Sequence, residues 1–221
     1  MNLPICLLID NGSLRPEAVL TLRKVAERLS DSSDFMVIPL GLLHSNKINS
    51  KELNGENAET IETFLTSPLG QKQIEFLVLP LFLGPSLGIT DWLVGKLDEW
   101  KSKNHDRSYT ILDCLHKYED LRLAKALASE IDRAVKRERL SSPMIAMVDH
   151  GTPVIEVNRV REKVGNDLRI ILGYDESNIS TCAMERRGGD NYSFNDPLLE
   201  NLLLNWAKSG AREIVVALFF L

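Results

Sequence analysis

Short apolar runs alternate with longer stretches of helical period along this chain. Residues 5–9 are apolar and stop at Asp10-Asn11-Gly12-Ser13, which predicts a strand followed by a turn. A helix follows, with Ser13 near its cap, Pro16 in its first turn and Val19, Leu22, Val25 and Leu29 on one face. A second strand is predicted over 35–43 and a short helix over 58–65. The third strand, 76–83, is apolar throughout, as a strand covered on both faces should be. Thr90 is read as the cap of a helix carrying Trp92, Leu93, Leu97 and Trp100. A fourth strand (109–115) and a long helix (120–137) with Leu121, Ala124, Ala128, Ile131 and Val135 inward come next. Such alternation predicts an α/β protein, with parallel strands and helices on both faces.

The pattern then restarts. Residues 144–148 are apolar and stop at Asp149-His150-Gly151-Thr152, which lies over Asp10-Asn11-Gly12-Ser13 at an offset of 139, with Glu156 over Glu17. Residues 213–221 lie over 75–83 at an offset of 138. Two matches in one order and at nearly one offset predict a duplication, with a first unit over 1–142 and a second over 143–221. The first unit continues for 59 residues past Leu83, whereas the second stops at Leu221 inside a strand. The expectation is therefore an incomplete second unit in a fragment of a longer protein, with an apolar end near 215–221 that pairs or aggregates.

Composition narrows the classes of function. Of 221 residues, 26 are Lys or Arg and 31 are Asp or Glu, a formal net charge of −5, with 44% hydrophobic residues. This is an ordinary globular profile. The acidic balance speaks against nonspecific nucleic-acid binding, which lives on cations neutralising phosphates. The longest uncharged apolar stretch, 76–84, falls far short of the ~20 residues of a membrane-spanning helix. No export signal is read at the N-terminus, and three scattered cysteines (Cys6, Cys114, Cys182) fit a reducing cytoplasm.

In open parallel sheets ligands sit beyond the carboxyl ends of the strands. His150 follows a strand directly, and Gly151 allows the backbone to turn so that the imidazole faces outward. Neutral imidazole is a metal ligand and a base near physiological pH; a loop histidine bonded to a carbonyl is the plainer alternative. The segment after Leu172 is long and without clear periodicity over 174–195. It holds Glu185, Arg186 and Arg187, which fit either a metal ligand beside an anion clamp or a solvated charged turn. Asp196-Pro197 opens the next helix. Cys114 and His116 would share a face on a strand, but four zinc ligands and C-x-x-C spacing are absent. His44 and His105 read as surface residues. Sequence motifs for phosphate-binding loops, dinucleotide folds, zincins and nucleophile elbows are absent.

Taken together, Asp-His-Gly-Thr-Pro (149–153), Cys-Ala-Met-Glu-Arg-Arg (182–187), Asn-Asp-Pro-Leu-Leu-Glu (195–200) and Ile-Val-Val-Ala-Leu-Phe-Phe-Leu (214–221) resemble the sirohydrochlorin chelatases of the CbiX type. The strands at 7–13 and 76–83 resemble the same family, so the likeness covers nearly the whole chain as two tandem units. It implies two similar α/β lobes, each a parallel sheet flanked by helices, with a cleft between them. It implies a lyase that inserts Co²⁺ or Fe²⁺ into sirohydrochlorin, in cobalamin or sirohaem (porphyrin) biosynthesis. No cofactor is implied beyond that substrate metal. The implied partners are the tetrapyrrole and the divalent metal, with neither nucleic acid nor membrane; pairing with a second copy of the chain is left open.

The family's first-strand histidine maps to His150 and its glutamate to Glu185, the implied metal ligands and proton acceptors. Its other histidine, just after the third strand, falls past Leu221. Gly151 and Thr152 flank the site, and Arg186, Arg187 and Asn11 are candidates to hold substrate carboxylates. In the first unit Asn11 stands where the family has histidine and no carboxylate lies near residues 42–44, so that unit reads as a supporting lobe. The competing expectation is a metal- or tetrapyrrole-binding homologue without catalysis, and a third is a two-lobed module for another small molecule.

Overall fold

The computed structural model describes residues 4–220. Leu221, on which the question of the chain's end turns, lies outside the described residues. The chain packs as two compact units that divide between residues 115 and 116. The offset arithmetic divides the chain at 142/143, because it counts sequence. Packing divides it earlier, because the helix at 122–138 lies against elements of the second unit.

The first unit runs β1 (Ile5–Asp10), α1 (Pro16–Asp31), β2 (Met36–Gly41), α2 (Ile61–Thr66), α3 (Pro68–Lys72), β3 (Glu75–Pro80), α4 (Val94–Ser102) and β4 (Ser108–Ile111). Its sheet is parallel in the order β2-β1-β3-β4. Central β1 is covered on both faces. Leu7 and Ile9 lie in the core with Phe64, Phe76, Leu93, Leu97 and Trp100, while Leu8 meets Leu22 and Ala26 of α1. A fully buried leucine is worth about 1.5–3 kcal/mol, so β1 anchors the unit. Pro16 opens α1 at a position whose N–H needs no partner. Ser13 does not cap α1; its hydroxyl accepts the Arg15 N–H (3.0 Å) one turn earlier. Thr90 is likewise no cap. It lies inside a wide helical turn, Gly88–Leu93, that runs into α4.

The second unit runs α5 (Arg122–Glu138), β5 (Met144–Asp149), α6 (Ile155–Leu172), β6 (Ile179–Ala183), α7 (Leu199–Lys208) and β7 (Ile214–Leu218). Its parallel sheet has the order β6-β5-β7, the order of β2-β1-β3 in the first unit. Ala146 and Val148 pack with Cys182, Leu202 and Trp206 on one face. The equivalence extends to the loops. Gly41 at the end of β2 pairs with Thr60, and Ala183 at the end of β6 pairs with Leu198. Each second strand is thus followed by an excursion that returns to its own end. Asn11 and His150 occupy equivalent strand ends, as the duplication requires. Among the described residues no helix is long and apolar enough to cross a membrane.

Candidate metal site at the strand ends of the second unit

The buried central strand β5 delivers its last residues to the carboxyl end of the sheet. Asp149 turns the chain by accepting the Gly151 N–H on Oδ1 at 3.0 Å. Gly151 has φ +89°, and a Cβ there would lie 1.9 Å from the Glu185 carbonyl oxygen. Glycine is therefore required both by conformation and by the close approach of the β6 end. That approach carries two backbone bonds, Met184 N–H to Asp149 O (2.8 Å) and Glu185 N–H to His150 O (3.2 Å). His150 and Glu185, 35 positions apart in sequence, become cross-strand neighbours with both side chains exposed. The His150 ring stacks on Phe220, just past β7, with centroids 4.2 Å apart and planes at 30°. The imidazole thus has an apolar wall on one side and water on the other.

The flanking candidates divide. Thr152 shapes the entry to α6: its hydroxyl accepts the Val154 N–H (3.0 Å). Its backbone N–H donates to Asn195 Oδ1 (2.9 Å), and its carbonyl accepts from Asn195 Nδ2 (2.9 Å). Arg186 braces its own loop, donating to the Gly189 carbonyl (2.9 Å) and pairing with Asp196 (3.0 Å). Arg187 is exposed, its guanidinium 5.9 Å from the Tyr192 ring centre.

The first unit repeats the turn without the histidine and the glutamate. Asp10 Oδ1 accepts the Gly12 N–H at 2.8 Å, and Gly12 has φ +81°. A Cβ on Gly12 would meet the Leu43 carbonyl oxygen at 1.8 Å. Leu43 therefore stands where the second unit has Glu185, and Asn11 where it has His150. Burial pushes the Asp10 carboxyl up, the Gly12 hydrogen bond opposing. A raised folded pKa means that the folded state holds more protons than the unfolded state in that window. Stability then falls as pH rises from the ordinary carboxylate range through the folded value. Asp10→Asn keeps the acceptor for Gly12 and removes the charge. It is expected to melt at or above the wild type at neutral pH, with the difference vanishing in acid. A thermal melt at several pH values checks this, and a variant less stable at neutral pH contradicts it.

Among the described residues no cluster of three or more His, Cys, Asp or Glu side chains forms a metal cage. Strand β4 ends at Ile111, so Cys114 and His116 lie beyond it and the shared-face argument lapses. Burial, with Lys163 adding to it, lowers the His116 pKa. Burial holds the Cys182 thiol at about 11, which leaves it unreactive.

Five features escape the sequence reading. Strand β6 lies inside the segment taken as irregular. Asp149, buried Arg161 and buried Asn195 build the turn and its loop, and Phe220 backs the histidine. The recurrence of Asp two places before Gly at both strand ends was the available signal for Asp149.

With this geometry in hand, comparison with known proteins is informative at the level of fold. No protein-family model matches the chain, and no curated protein matches it in sequence. Among solved structures it is similar to SirB from Bacillus subtilis with Fe³⁺, at 14% identity and a TM-score of 0.67, over 96% of this chain and 75% of that one. It is also similar to the sirohydrochlorin chelatase SirB from Bacillus subtilis subspecies spizizenii in complex with cobalt. There the identity is 11% and the TM-score 0.62, over 97% of this chain and 86% of that one. The chain has the α/β fold of a sirohydrochlorin chelatase, in agreement with the resemblance carried by its motifs.

Proposed function

We propose that this chain is a metallochelatase that inserts Co²⁺ or Fe²⁺ into sirohydrochlorin, with the site in its second unit. The observation that carries the reading is the pairing of His150 with Glu185 across the ends of β5 and β6, joined by the 3.2 Å backbone bond. Both neighbours of like fold hold iron or cobalt. Imidazole and carboxylate together suit these borderline divalent ions.

The balance of the reaction is one M²⁺ in and two pyrrole N–H protons out. His150 holds the incoming ion and, once the ion passes on, accepts a proton; Glu185 takes the second or shares the ion. Phe220 keeps the imidazole edge directed to one side. Arg187, exposed in its loop, is placed to meet a substrate carboxylate, while Arg186 fixes the loop and Gly151 and Thr152 fix the turn. In the first unit Asn11 is left as a hydrogen-bonding residue. Cys6, Cys114 and Cys182 are free thiols.

One observation favours a second reading, a carrier that binds metal or tetrapyrrole without turnover: among the described residues two candidate ligands meet at the site, His150 and Glu185. Anaerobic mixing of the chain with sirohydrochlorin and Co²⁺, then Fe²⁺, separates the two. Catalytic loss of the free tetrapyrrole absorption supports the chelatase. A stoichiometric spectral shift without turnover supports the carrier, and no change contradicts both.

A further inference from the structure

The most unusual group in the second unit is Arg161, a side chain 1% exposed on the sheet-facing side of α6. It donates to Asp149 Oδ1 (3.1 Å), the atom that also accepts the Gly151 N–H. It donates to the Phe194 carbonyl (3.2 Å), in the loop that follows Glu185. Its Nε meets Glu162, whose carboxylate accepts from Thr181 of β6 at 2.9 Å. One guanidinium therefore touches the turn that carries His150, the loop that starts at Glu185, and through one neighbour the strand between them. Asn158 adds a bond to the same Phe194 carbonyl (2.8 Å).

The duplication supplies the comparison. At the offset of 139, Arg161 corresponds to Leu22 and Asn158 to Val19, both apolar and buried in α1. The first unit keeps the same Asp-x-Gly turn with no guanidinium on its aspartate; Arg23 instead ties the loop carbonyls of Leu53, Glu56 and Asn57. The fold of such a unit thus does not require the arginine. Burying a charge is costly, and apolar replacements of buried ion pairs are often neutral or stabilising. The unit that kept His150 and Glu185 carries the costly group; the unit with Asn11 and Leu43 does not.

We infer that Arg161 is a positioning residue that holds the His150 turn and the Glu185 loop in one register, so that imidazole and carboxylate stay within reach of one metal ion. The inference rests on the reading of His150 and Glu185 as the ligand pair. A planar fork suits the task, since it bonds in fixed directions to two elements at once. Lysine offers a point charge and can satisfy Asp149 alone.

The test compares wild type, Arg161→Lys, and the double variant Asp149→Asn with Arg161→Leu. The double variant removes the pair together, keeps an acceptor for Gly151 and leaves no unpaired buried charge. Two readouts are taken: amide hydrogen exchange by NMR, and Co²⁺ affinity by titration. In the double variant the Glu185 amide should exchange at least roughly tenfold faster relative to the β5 interior amides of Ile145 and Met147, which keep their protection. Co²⁺ affinity should fall roughly tenfold, about 1.4 kcal/mol. Arg161→Lys should fall between the two proteins in both. Unchanged exchange at Glu185, or exchange raised evenly through β5, overturns the positioning role. So does wild-type Co²⁺ affinity in the double variant when His150→Ala loses it. If His150→Ala binds Co²⁺ as wild type does, the metal reading of the site fails, and the exchange data still decide whether Arg161 holds the register.

Discussion

His150→Ala is expected to lower the rate of metal insertion by roughly 100-fold or more, the usual scale for loss of a group that handles protons in the rate-limiting step. Its melting temperature should stay within a few degrees of wild type. His150 is exposed beyond the end of β5, and among the described residues the ring contact to be lost is the stack on Phe220. Both bonds that join β5 to β6 here use backbone atoms of Asp149, His150, Met184 and Glu185, so the substitution leaves them in place. Glu185→Gln should lose less, since the amide can still bond but not take a proton. His116→Ala and Cys114→Ala serve as controls and should leave the rate near wild type. Initial rates over a Co²⁺ series check this set, and near-normal insertion by His150→Ala removes the histidine from the mechanism.

Gly151→Ala should do more damage with a smaller change. The left-handed conformation costs an alanine about 1–2 kcal/mol. The added Cβ must also displace the Glu185 carbonyl oxygen, 1.9 Å away, which is backbone at the end of β6 and cannot rotate aside. Gly173 gives the control: φ is +66° and nothing lies within 4 Å of its Cβ position. Gly173→Ala therefore carries the conformational cost alone. Gly151→Ala should melt several degrees lower than Gly173→Ala, at about 2–4 °C per kcal/mol for a chain of this size. It should also lose metal insertion, which Gly173→Ala should keep. Equal melting of the two variants would mean that the β5 and β6 ends do not meet as described.

The parts of this architecture that sequence reveals are those where burial and composition agree. Residues of β1 and β5 are nearly all apolar because helices cover both faces, and each run ends on an Asp-x-Gly turn that needs its glycine. The strand order shared by β2-β1-β3 and β6-β5-β7 agrees with the repeat of these runs along the sequence. Strand β6 was not legible, because Ile-Ser-Thr-Cys-Ala is built of small and hydroxylated residues; Thr181 is buried yet bonded to Glu162. Helix α6 hid its inward face behind Asn158, Arg161 and Asp167, buried polar groups that break the apolar period. Asn158 and Arg161 find their partners, Phe194 and Asp149, on other elements, so no local pattern announces them, while Asp167 pairs with Lys163 within the helix. The strand predicted over 109–115 runs past the observed end at Ile111, and that overrun creates the apparent Cys114–His116 pairing. His150 and Glu185 could be named from motifs, but their juxtaposition depends on the register Asp149↔Ala183, a tertiary fact.

X-ray absorption on the Co²⁺-loaded chain reports the atoms around the metal whether or not turnover occurs. A first shell of nitrogen and oxygen is expected, with the outer scattering of one imidazole that disappears in His150→Ala and persists in His116→Ala. An identical imidazole signature in wild type and His150→Ala, or a sulfur shell from a cysteine, would contradict His150 as the metal ligand.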